Sequence, residues 1–251
     1  MVNQTQRIVA TVRSTFRHSL ESSSWLTGKV REGAIGKLDN ITFYVGNPIK
    51  QFDLAFVEEL YRPYPDAPLD KLFPTWIKAL SLSTHHLWSD HTTWIYDETE
   101  VNAFYARADK YVVIPTGIMQ RPFFYTNGPL GLNYGGLGTL LVKARQEVLN
   151  GTLDSENLAD FVGTMTAYAA FASLSSTRNN VTLAGLDMSP ERLFFVNSCV
   201  KLCSQYGTLP ALYASHRSRC IVPLMNMPEF SKAYGCAAGA PMNPRDKCTF
   251  W

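Results

Sequence analysis

Two acidic side chains, Glu156 and Asp160, are four residues apart in a segment whose apolar spacing predicts a helix. Residues at positions i and i+4 share one helix face, so the two carboxylates would point the same way. Glu147 and Glu156 could in principle form an oxygen-rich site for Mg²⁺ or Ca²⁺, but such ions take about six ligands or more. We therefore expect salt bridges to Lys143, Arg145 or contacts with solvent instead.

Two other groups contain residue types that bind metals. His85, His86 and His91 are close together, but no acidic residue is positioned to complete a site, so we expect an incidental cluster rather than ligation. Cys199 and Cys203 are four apart on a predicted helix. Because the C-x-x-C spacing of zinc sites is absent, a free or mispaired thiol is favoured over a zinc pair.

Five motifs follow one another between residue 101 and the end of the chain. They are Val-Asn-Ala-Phe-Tyr (101–105), Ile-Pro-Thr-Gly-Ile-Met-Gln-Arg-Pro-Phe-Phe (114–124), Asn-Tyr-Gly-Gly-Leu-Gly (133–138), Glu-Asn-Leu-Ala-Asp (156–160) and Met-Asn-Pro-Arg-Asp-Lys-Cys-Thr-Phe-Trp (242–251). On these motifs the chain resembles the neprilysin and endothelin-converting-enzyme family of zinc metalloendopeptidases. The resemblance is strong over residues 96–251 and weaker over residues 1–95.

The resemblance implies a zinc-binding helix directly after residue 138. In such peptidases the helix reads His-Glu-x-x-His: two histidines on one face ligate Zn²⁺, and the glutamate activates the bound water. The matching segment here is Lys143-Ala144-Arg145-Gln146-Glu147. A protonated lysine has no lone pair to give to a cation, and alanine cannot accept a proton. Zinc is the cofactor of the family. Because the matching positions of this chain lack the required residues, no cofactor is expected for it.

The resemblance also assigns roles to residues outside that helix. Glu156 matches the third zinc ligand, Asp160 the carboxylate that orients a ligating histidine, and His216 the histidine that stabilises the oxyanion. A lone carboxylate cannot hold Zn²⁺, which takes about four ligands, so Glu156 and Asp160 are expected to be vestigial. The spacing between His216 and Arg219 is shorter than in the family, so a surface-loop histidine remains an alternative for His216.

Three residues match substrate-binding positions of the family. Asn102 and Ala103 match an edge strand that pairs with an extended peptide through main-chain hydrogen bonds. Arg219 resembles the arginine that fixes the substrate backbone. The alternative for Asn102 and Ala103 is a strand that only packs. The partners predicted from these residues are short peptides.

The connection between Glu147 and Glu156 is short, since Glu156 follows Glu147 by nine positions. The resemblance implies a long loop and helix there, so restoring histidines at 143 and 147 would not rebuild the site. It also implies that Cys203, Cys236 and Cys248 have lost their disulfide partners. We expect marginal stability and disulfide-linked oligomers, unless Cys199 and Cys220 provide other pairings.

Composition narrows the classes of function. The 251 residues are 46% hydrophobic and 18% charged, as in ordinary globular proteins, and the net charge is +2. The sequence has no basic stripe with interleaved aromatic residues, so nucleic-acid binding is not predicted. No apolar run is long enough for a transmembrane segment. No signal peptide or anchor is recognised, although the family resemblance implies an extracellular or plasma-membrane ectodomain. Sequons at Asn3, Asn40, Asn150 and Asn180 are compatible with glycosylation.

Periodicity predicts the elements that would position these residues. Ile8, Val12, Phe16 and Leu20 recur every four residues within a helical stretch over 5–40. Ser189 is a predicted N-cap with Pro190 in the first turn. The other predicted helices are 52–60, 72–84, 140–149, a helix from about 155, and 190–206, and the predicted strands are 94–96, 101–105 and 111–114.

These elements indicate an α+β fold that is mostly helical with a small mixed sheet. It would be an incomplete thermolysin-like (gluzincin) catalytic domain. Residues 1–95 would be a remnant of the helical amino-terminal peptidase domain and linker, and residues 96–251 a degenerate neprilysin-type carboxyl-terminal domain.

Three hypotheses about function follow. The first is a family homologue without catalysis that retains peptide binding. The second is a truncated fragment without independent function, and the third is a zinc metalloendopeptidase that processes small extracellular peptides, as family membership alone would imply.

Overall fold

The computed structural model describes residues 1–47, 53–66, 71–89, 96–106, 108–141, 153–175, 181–203 and 214–250. Most of these residues are helical. The helices are α1 (Val2–Ser22), α2 (Gly28–Asp39), α3 (Leu54–Tyr61), α4 (Leu72–Ser89), α5 (Leu130–Asn133), α6 (Leu153–Ala172), α7 (Pro190–Val200), α8 (His216–Met225) and α9 (Pro228–Tyr234). The strands are β1 (Thr42–Val45), β2 (Phe104–Ala106) and β3 (Tyr111–Ile114).

The first predicted helix is two helices, because the chain leaves the helical conformation at Ser23 and re-enters it at Gly28, whose φ is +55°. Glycine adopts this left-handed conformation without the cost of a Cβ. The predicted apolar face of α1 is confirmed, since Ile8, Val12 and Leu20 are buried. α1 thereby contributes to the main core.

The sheet is small and mixed, with the strand order β1-β3-β2. The central strand β3 pairs in parallel with β1 and antiparallel with β2, and its Val112, Val113 and Ile114 are fully buried. The predicted strand 111–114 is confirmed. Of the predicted strand 101–105, only Phe104 and Tyr105 lie in β2, and Asn102 and Ala103 precede it. Of the predicted strand 94–96, only Tyr96 lies within the described residues, and it is not in a strand.

The glycine-rich segment folds differently from the prediction. A helix was predicted to start near residue 140, but α5 starts at Leu130 and continues as a π-helix over Tyr134–Gly138. Glycine is a poor helix former, yet here close packing determines the conformation. A Cβ on Gly135 would lie 2.2 Å from the backbone oxygen of Phe194 in α7. Residues 142–150 lie outside the described part.

Helices α6, α7 and α1 pack against this segment. Ser189 caps α7 by accepting a hydrogen bond from the Arg192 amide, with Pro190 at the first position, as predicted. A disulfide joins Cys199 of α7 to Cys220 of α8 across 21 residues. The expectation of a free or mispaired thiol is therefore wrong for Cys199, whereas Cys203, Cys236 and Cys248 are free.

The chain forms two compact units, residues 1–45 with 99–251, and residues 46–98. In the first unit, α1 packs against α6 and β1 pairs with β3. In the second unit, Tyr64 and Ser83 share a hydrogen bond of 2.9 Å between α4 and the turn after α3. None of the described helices is both long enough and apolar enough to cross a bilayer.

Candidate peptide-binding and metal-binding region

Asn133 holds two segments of the region together. Its side chain is fully buried, accepts a hydrogen bond from the Tyr125 amide at 2.7 Å and donates to the Tyr125 carbonyl at 3.0 Å. A buried amide with both ends satisfied fixes one local geometry. Asn133 thus locks the loop before α5 onto the start of the glycine-rich segment.

Asn197, on α7, performs a related task that was not predicted. Its buried Nδ2 donates to the carbonyls of Leu132 at 2.6 Å and Pro122 at 3.0 Å. A Cβ on Gly136 would lie 2.5 Å from that nitrogen, so glycine is required for this approach. The signal in the sequence was a polar pair, Asn197 and Ser198, shortly after the buried Leu193, Phe194 and Phe195.

The predicted zinc-helix positions, Lys143, Ala144, Arg145, Gln146 and Glu147, lie outside the described residues. Their residue types alone decide whether zinc fits. Lysine and alanine offer no ligand at neutral pH, and Zn²⁺ sites are built from Cys, His, Asp and Glu. Among the residues that the structure does describe, no three His, Cys, Asp or Glu are grouped closely enough to hold a metal ion.

Asp160 and Arg219 are brought into direct contact. The Arg219 Nε donates to Asp160 Oδ2 at 2.6 Å, and its Nη2 donates to Oδ1 at 3.2 Å. Their side chains are only 12% and 10% exposed, respectively. A two-pronged, nearly buried pair of this kind is strong and geometrically specific. It joins α6 to α8, and both oxygens of Asp160 are engaged by the guanidinium.

The other predicted residues of this region lie on the same two helices. Glu156 is in the first turn of α6, one turn before Asp160, and its side chain lies outside the described part. His216 is the first residue of α8, half-buried, and three residues before Arg219. His216 therefore begins a helix, and its role stays a prediction. Ser215 caps this helix by accepting from the Ser218 amide at 3.1 Å.

An aromatic cluster supports α6 behind Asp160. Tyr168 stacks on Phe195 with ring centres 5.1 Å apart and meets Phe194 edge-on at 5.2 Å. Burial raises the pKa of Tyr168 to about 12, and the carboxylates of Glu191 and Glu229 contribute to the rise. The cluster packs α6, the helix that carries Asp160, against α7.

Asn102 and Ala103 lie at the edge of the sheet, immediately before β2. Asn102 is exposed, and both of its side-chain hydrogen bonds are local: Oδ1 accepts from the Ala103 amide at 2.9 Å, and Nδ2 donates to Glu100 at 3.4 Å. β2 ends the strand order on this side among the described residues. Within the described part, no side-chain hydrogen bond joins Asn102 to α6 or α8. The predicted substrate-binding residues thus fall into two groups, one on the sheet and one on the helices.

Comparison with known families supplies a context for this arrangement. The model of peptidase family M13 matches residues 102–145 and 141–250. The match is in two pieces that overlap at residues 141–145, a stretch that includes Lys143 and Ala144. It spans more than half of the chain.

Curated relatives match almost the whole chain. Neprilysin-3 of Drosophila melanogaster is 26% identical over 308 residues, covering 98% of this chain and 39% of that protein. Endothelin-converting enzyme 1 of Mus musculus is 24% identical over 311 residues, covering 99% of this chain and 41% of that protein. The chain spans about two fifths of the length of these relatives. The predicted resemblance is confirmed.

Solved structures share the fold. The Haemonchus galactose containing glycoprotein complex matches with a TM-score of 0.80 and 19% identity, over 100% of this chain and 49% of that one. The open state of the Mycobacterium tuberculosis zinc metalloprotease Zmp1 matches with a TM-score of 0.74 and 17% identity, over 99% and 48%. The predicted class, a mostly helical partial domain with a small mixed sheet, is confirmed.

Proposed function

We propose, since this chain belongs to peptidase family M13, that it keeps the family fold without the zinc chemistry and acts by binding peptides. One observation carries this proposal: Lys143, Ala144 and Glu147 occupy the positions where the family resemblance requires His, Glu and His. Two of the three zinc ligands and the general base are replaced together. No single protonation change could restore them, because alanine has no donor atom and lysine is cationic at neutral pH.

The short connection after the changed helix supports the same conclusion. Glu156 follows Glu147 by nine positions. Neprilysin-3 needs 308 aligned residues to match this chain of 251, so the relative carries additional segments within the matched span. A family match in two pieces is the pattern expected when one such segment is missing near residues 141–145. A restored motif would therefore lack the neighbouring walls of the cleft.

The Asp160–Arg219 pair also supports the loss of the zinc chemistry. If Asp160 had kept the role of orienting a zinc-bound histidine, loss of that histidine would leave a nearly buried carboxylate in need of a partner. Arg219 supplies that partner through two hydrogen bonds of 2.6 and 3.2 Å. The pair can persist as a structural feature after the histidine is lost.

The absence of hydrolysis is tested with purified chain and a mixture of unmodified peptides, followed by mass spectrometry. We expect no cleavage that depends on added zinc or stops with a chelator. The control is a catalytically active family member treated in parallel. Zinc-dependent, chelator-sensitive products from this chain would overturn the proposal and favour the alternative of an active endopeptidase, which rests on family membership.

Peptide binding is proposed along β2. An extended peptide could add to the sheet beside this strand, with main-chain hydrogen bonds giving affinity and side-chain contacts giving preference. Asn102 is positioned to take part because it is exposed and its present hydrogen bonds are local. A ligand could replace the 3.4 Å bond to Glu100 at little cost, since that bond is long and solvent-exposed.

Binding is measured with fluorescein-labelled extended peptides that contain one large apolar residue. We expect Asn102→Ala to weaken binding about tenfold, since a lost side-chain hydrogen bond to a peptide is worth about 1–1.5 kcal/mol. Asn127→Ala, at another exposed asparagine, is the matched control and should leave affinity unchanged. Equal affinities for the wild type and Asn102→Ala would show that peptides do not bind in the proposed way.

The remaining alternative is a fragment without independent function. A soluble chain that unfolds in one cooperative transition is expected if the chain acts as a binding module. Insoluble or uncooperatively unfolding material would favour the fragment.

A further inference from the structure

A free thiol lies one helical turn from the disulfide of the larger compact unit. Cys199 belongs to the last turn of α7 and is bonded to Cys220 of α8, and Cys203 follows Cys199 by four positions. Residues at positions i and i+4 lie on the same side of a helical turn. Three cysteine side chains are therefore grouped where α7 meets α8.

The chain keeps a helical turn between Cys199 and Cys203 although α7 ends at Val200. The Leu202 amide donates to the Cys199 carbonyl at 2.8 Å, and the Cys203 amide donates to the Val200 carbonyl at 3.0 Å. The Cys203 thiol, a weak donor, also points to the Cys199 carbonyl, with 4.0 Å between sulfur and oxygen. The free sulfur is thus held beside Cys199.

The spacing along this turn suits a disulfide. Four residues of helix advance the chain by about 6 Å, because each residue adds about 1.5 Å. Disulfide-bonded cysteines usually have Cα atoms about 4.4–6.8 Å apart, and the Cα atoms of Cys199 and Cys220 are 5.1 Å apart. Cys199 can therefore pair with Cys220 on the facing helix or with Cys203 on its own turn.

Burial differs between the bond and the free thiol. Cys199 and Cys220 are partly buried against the main hydrophobic core, whereas Cys203 is exposed. The thiolate is the species that attacks a disulfide, and water solvates it at an exposed site. A thiol in solution must first diffuse to a partly buried bond. Cys203 is already beside that bond, which raises its effective concentration.

We propose that Cys203 exchanges with the Cys199–Cys220 disulfide and thereby releases α8 from α7. The Cys203 thiol gives its proton to water, and the resulting thiolate attacks the sulfur of Cys199. A bond forms between Cys203 and Cys199, the bond between Cys199 and Cys220 breaks, and Cys220 leaves as a thiolate that takes up a proton. One disulfide and one thiol are present before and after, so no oxidant or reductant is consumed. Attack by Cys220 on Cys199 reverses the step.

The exchange would change what holds α8 in place. Cys220 directly follows Arg219, whose guanidinium is bonded to Asp160 of α6. With the present disulfide, α8 is joined covalently to α7 and by this ion pair to α6. After the exchange the covalent bond lies within the end of α7, and α8 keeps only its noncovalent contacts. Local opening of α8 becomes easier because one constraint is lost.

The other two free thiols are placed differently. The Cys236 amide donates to the Ser231 carbonyl at the end of α9, and the Cys248 amide donates to the Asn226 side chain after α8. Neither cysteine belongs to the turn that contains Cys199 and Cys203. They therefore provide internal controls for the exchange.

The test maps the disulfides of the wild-type chain. Cleavage by trypsin after lysine and arginine places Cys199 in peptide 193–201, Cys203 in peptide 202–217 and Cys220 in peptide 220–232. The chain is kept at about pH 8 for about a day without oxidant or reductant, since uncatalysed rearrangement takes minutes to hours. Free thiols are then blocked with N-ethylmaleimide, and digestion at mildly acidic pH prevents further exchange. We expect peptide 193–201 linked to peptide 202–217, together with an equal amount of blocked Cys220.

Variants assign the exchange to Cys203. Cys203→Ser should remove both the linked peptide and the blocking of Cys220. Cys236→Ser is the matched control, which keeps Cys203 and should behave as wild type. Cys220→Ser leaves Cys199 without its present partner, and oxidised glutathione should then join Cys199 to Cys203.

Hydrogen exchange tests the release of α8. Oxidised Cys220→Ser has the bond within the end of α7, whereas Cys203→Ser keeps the bond between α7 and α8. We expect the amides of α8 to exchange about tenfold faster in the first variant, since part of the stabilisation that a disulfide provides corresponds to such a factor. The amides of α1 are the internal reference and should exchange equally in both.

The proposal is overturned if the wild type yields no more linked peptide than Cys203→Ser, or if oxidised Cys220→Ser leaves Cys199 and Cys203 unjoined. Equal exchange of the α8 amides in both variants would also contradict it. A mixture of unlabelled and ¹⁵N-labelled chains should give linked peptides of one isotope only, because mixed pairs would show bonding between copies. None of these measurements uses a peptide ligand, so their failure is distinct from failure of the binding proposal.

Discussion

Two neighbouring segments, residues 133–138 and 143–147, match the motifs of the family to different degrees. In the first, Asn133 and Gly135 make the same kind of close contact that a packed core requires, with Asn133 bonded to Tyr125 and Gly135 against Phe194. In the second, the resemblance requires His-Glu-x-x-His, whereas this chain has Lys143-Ala144-Arg145-Gln146-Glu147. Packing constrains the first segment whatever reaction the protein performs.

At Asp160, packing in the fold and the chemistry of the family concern the same side chain. The resemblance assigns it a role in chemistry, yet its partner in the structure is Arg219, which ties α6 to α8. The comparison therefore predicts that substitutions in packing residues unfold the protein, whether or not the chemistry has been lost.

Gly135→Ala should have the largest effect. The added Cβ would lie 2.2 Å from the Phe194 backbone oxygen, and a backbone atom cannot move aside without shifting α7. We expect a loss of about 3 kcal/mol or more in urea unfolding. Gly33→Ala is the control, because its Cβ would meet open space in α2. That variant should be unchanged or about 0.5–1 kcal/mol more stable. Similar losses in both would mean that close approach does not explain the glycine.

The Cys199–Cys220 disulfide should contribute about 3 kcal/mol, since it closes a 21-residue span in the unfolded chain. Cys199→Ala with Cys220→Ala should lower the free energy of unfolding by that amount. Cys203→Ser removes an exposed free thiol and should leave it unchanged. If adding reductant does not destabilise the wild type, the bond has no such role.

Asp160→Asn should cost about 2 kcal/mol, because it leaves a nearly buried guanidinium without its charge partner. Replacing both members, with Asp160→Leu and Arg219→Met, should recover much of that loss. The exposed Arg17–Glu21 pair provides the control, and Glu21→Gln should cost no more than about 0.5 kcal/mol. A double variant as unstable as the single one would show that the pair does more than satisfy its own charges.

The smallest effect concerns pH. Burial raises the pKa of Tyr168 from an ordinary value of 10 to about 12 in the folded protein. The folded state therefore holds the proton more tightly, so this contribution to stability is complete below pH 10 and is lost as pH rises toward 12. Tyr168→Phe should show a shallower decline in stability over that interval. Identical pH profiles would mean that Tyr168 titrates as it does in the unfolded chain.

Local signals in the sequence predicted local structure well. Ser189 with Pro190 predicted the start of α7, and the β-branched run at 111–114 predicted β3, because caps and strand propensity act within a few residues. Strand β1 was not predicted, since its parallel pairing depends on a segment almost seventy positions away. The early start of α5 was also missed, because tertiary packing overrides the poor helix propensity of its glycines.

The candidate site shows the same division. Asp160, His216 and Arg219 could be named from motifs, but not the ion pair, whose members are 59 residues apart. Cys199 and Cys220 looked like surplus thiols because the sequence does not show how close two residues lie in the folded chain.

Zinc content tests the central claim most directly. Purified chain is dialysed to equilibrium against micromolar zinc, separated from free metal on a desalting column and analysed for metal per protein. A family peptidase with an intact His-Glu-x-x-His helix serves as the positive control. The account predicts far less than one zinc per chain, because Lys143 and Ala144 provide no ligands. One tightly retained zinc per chain would contradict it.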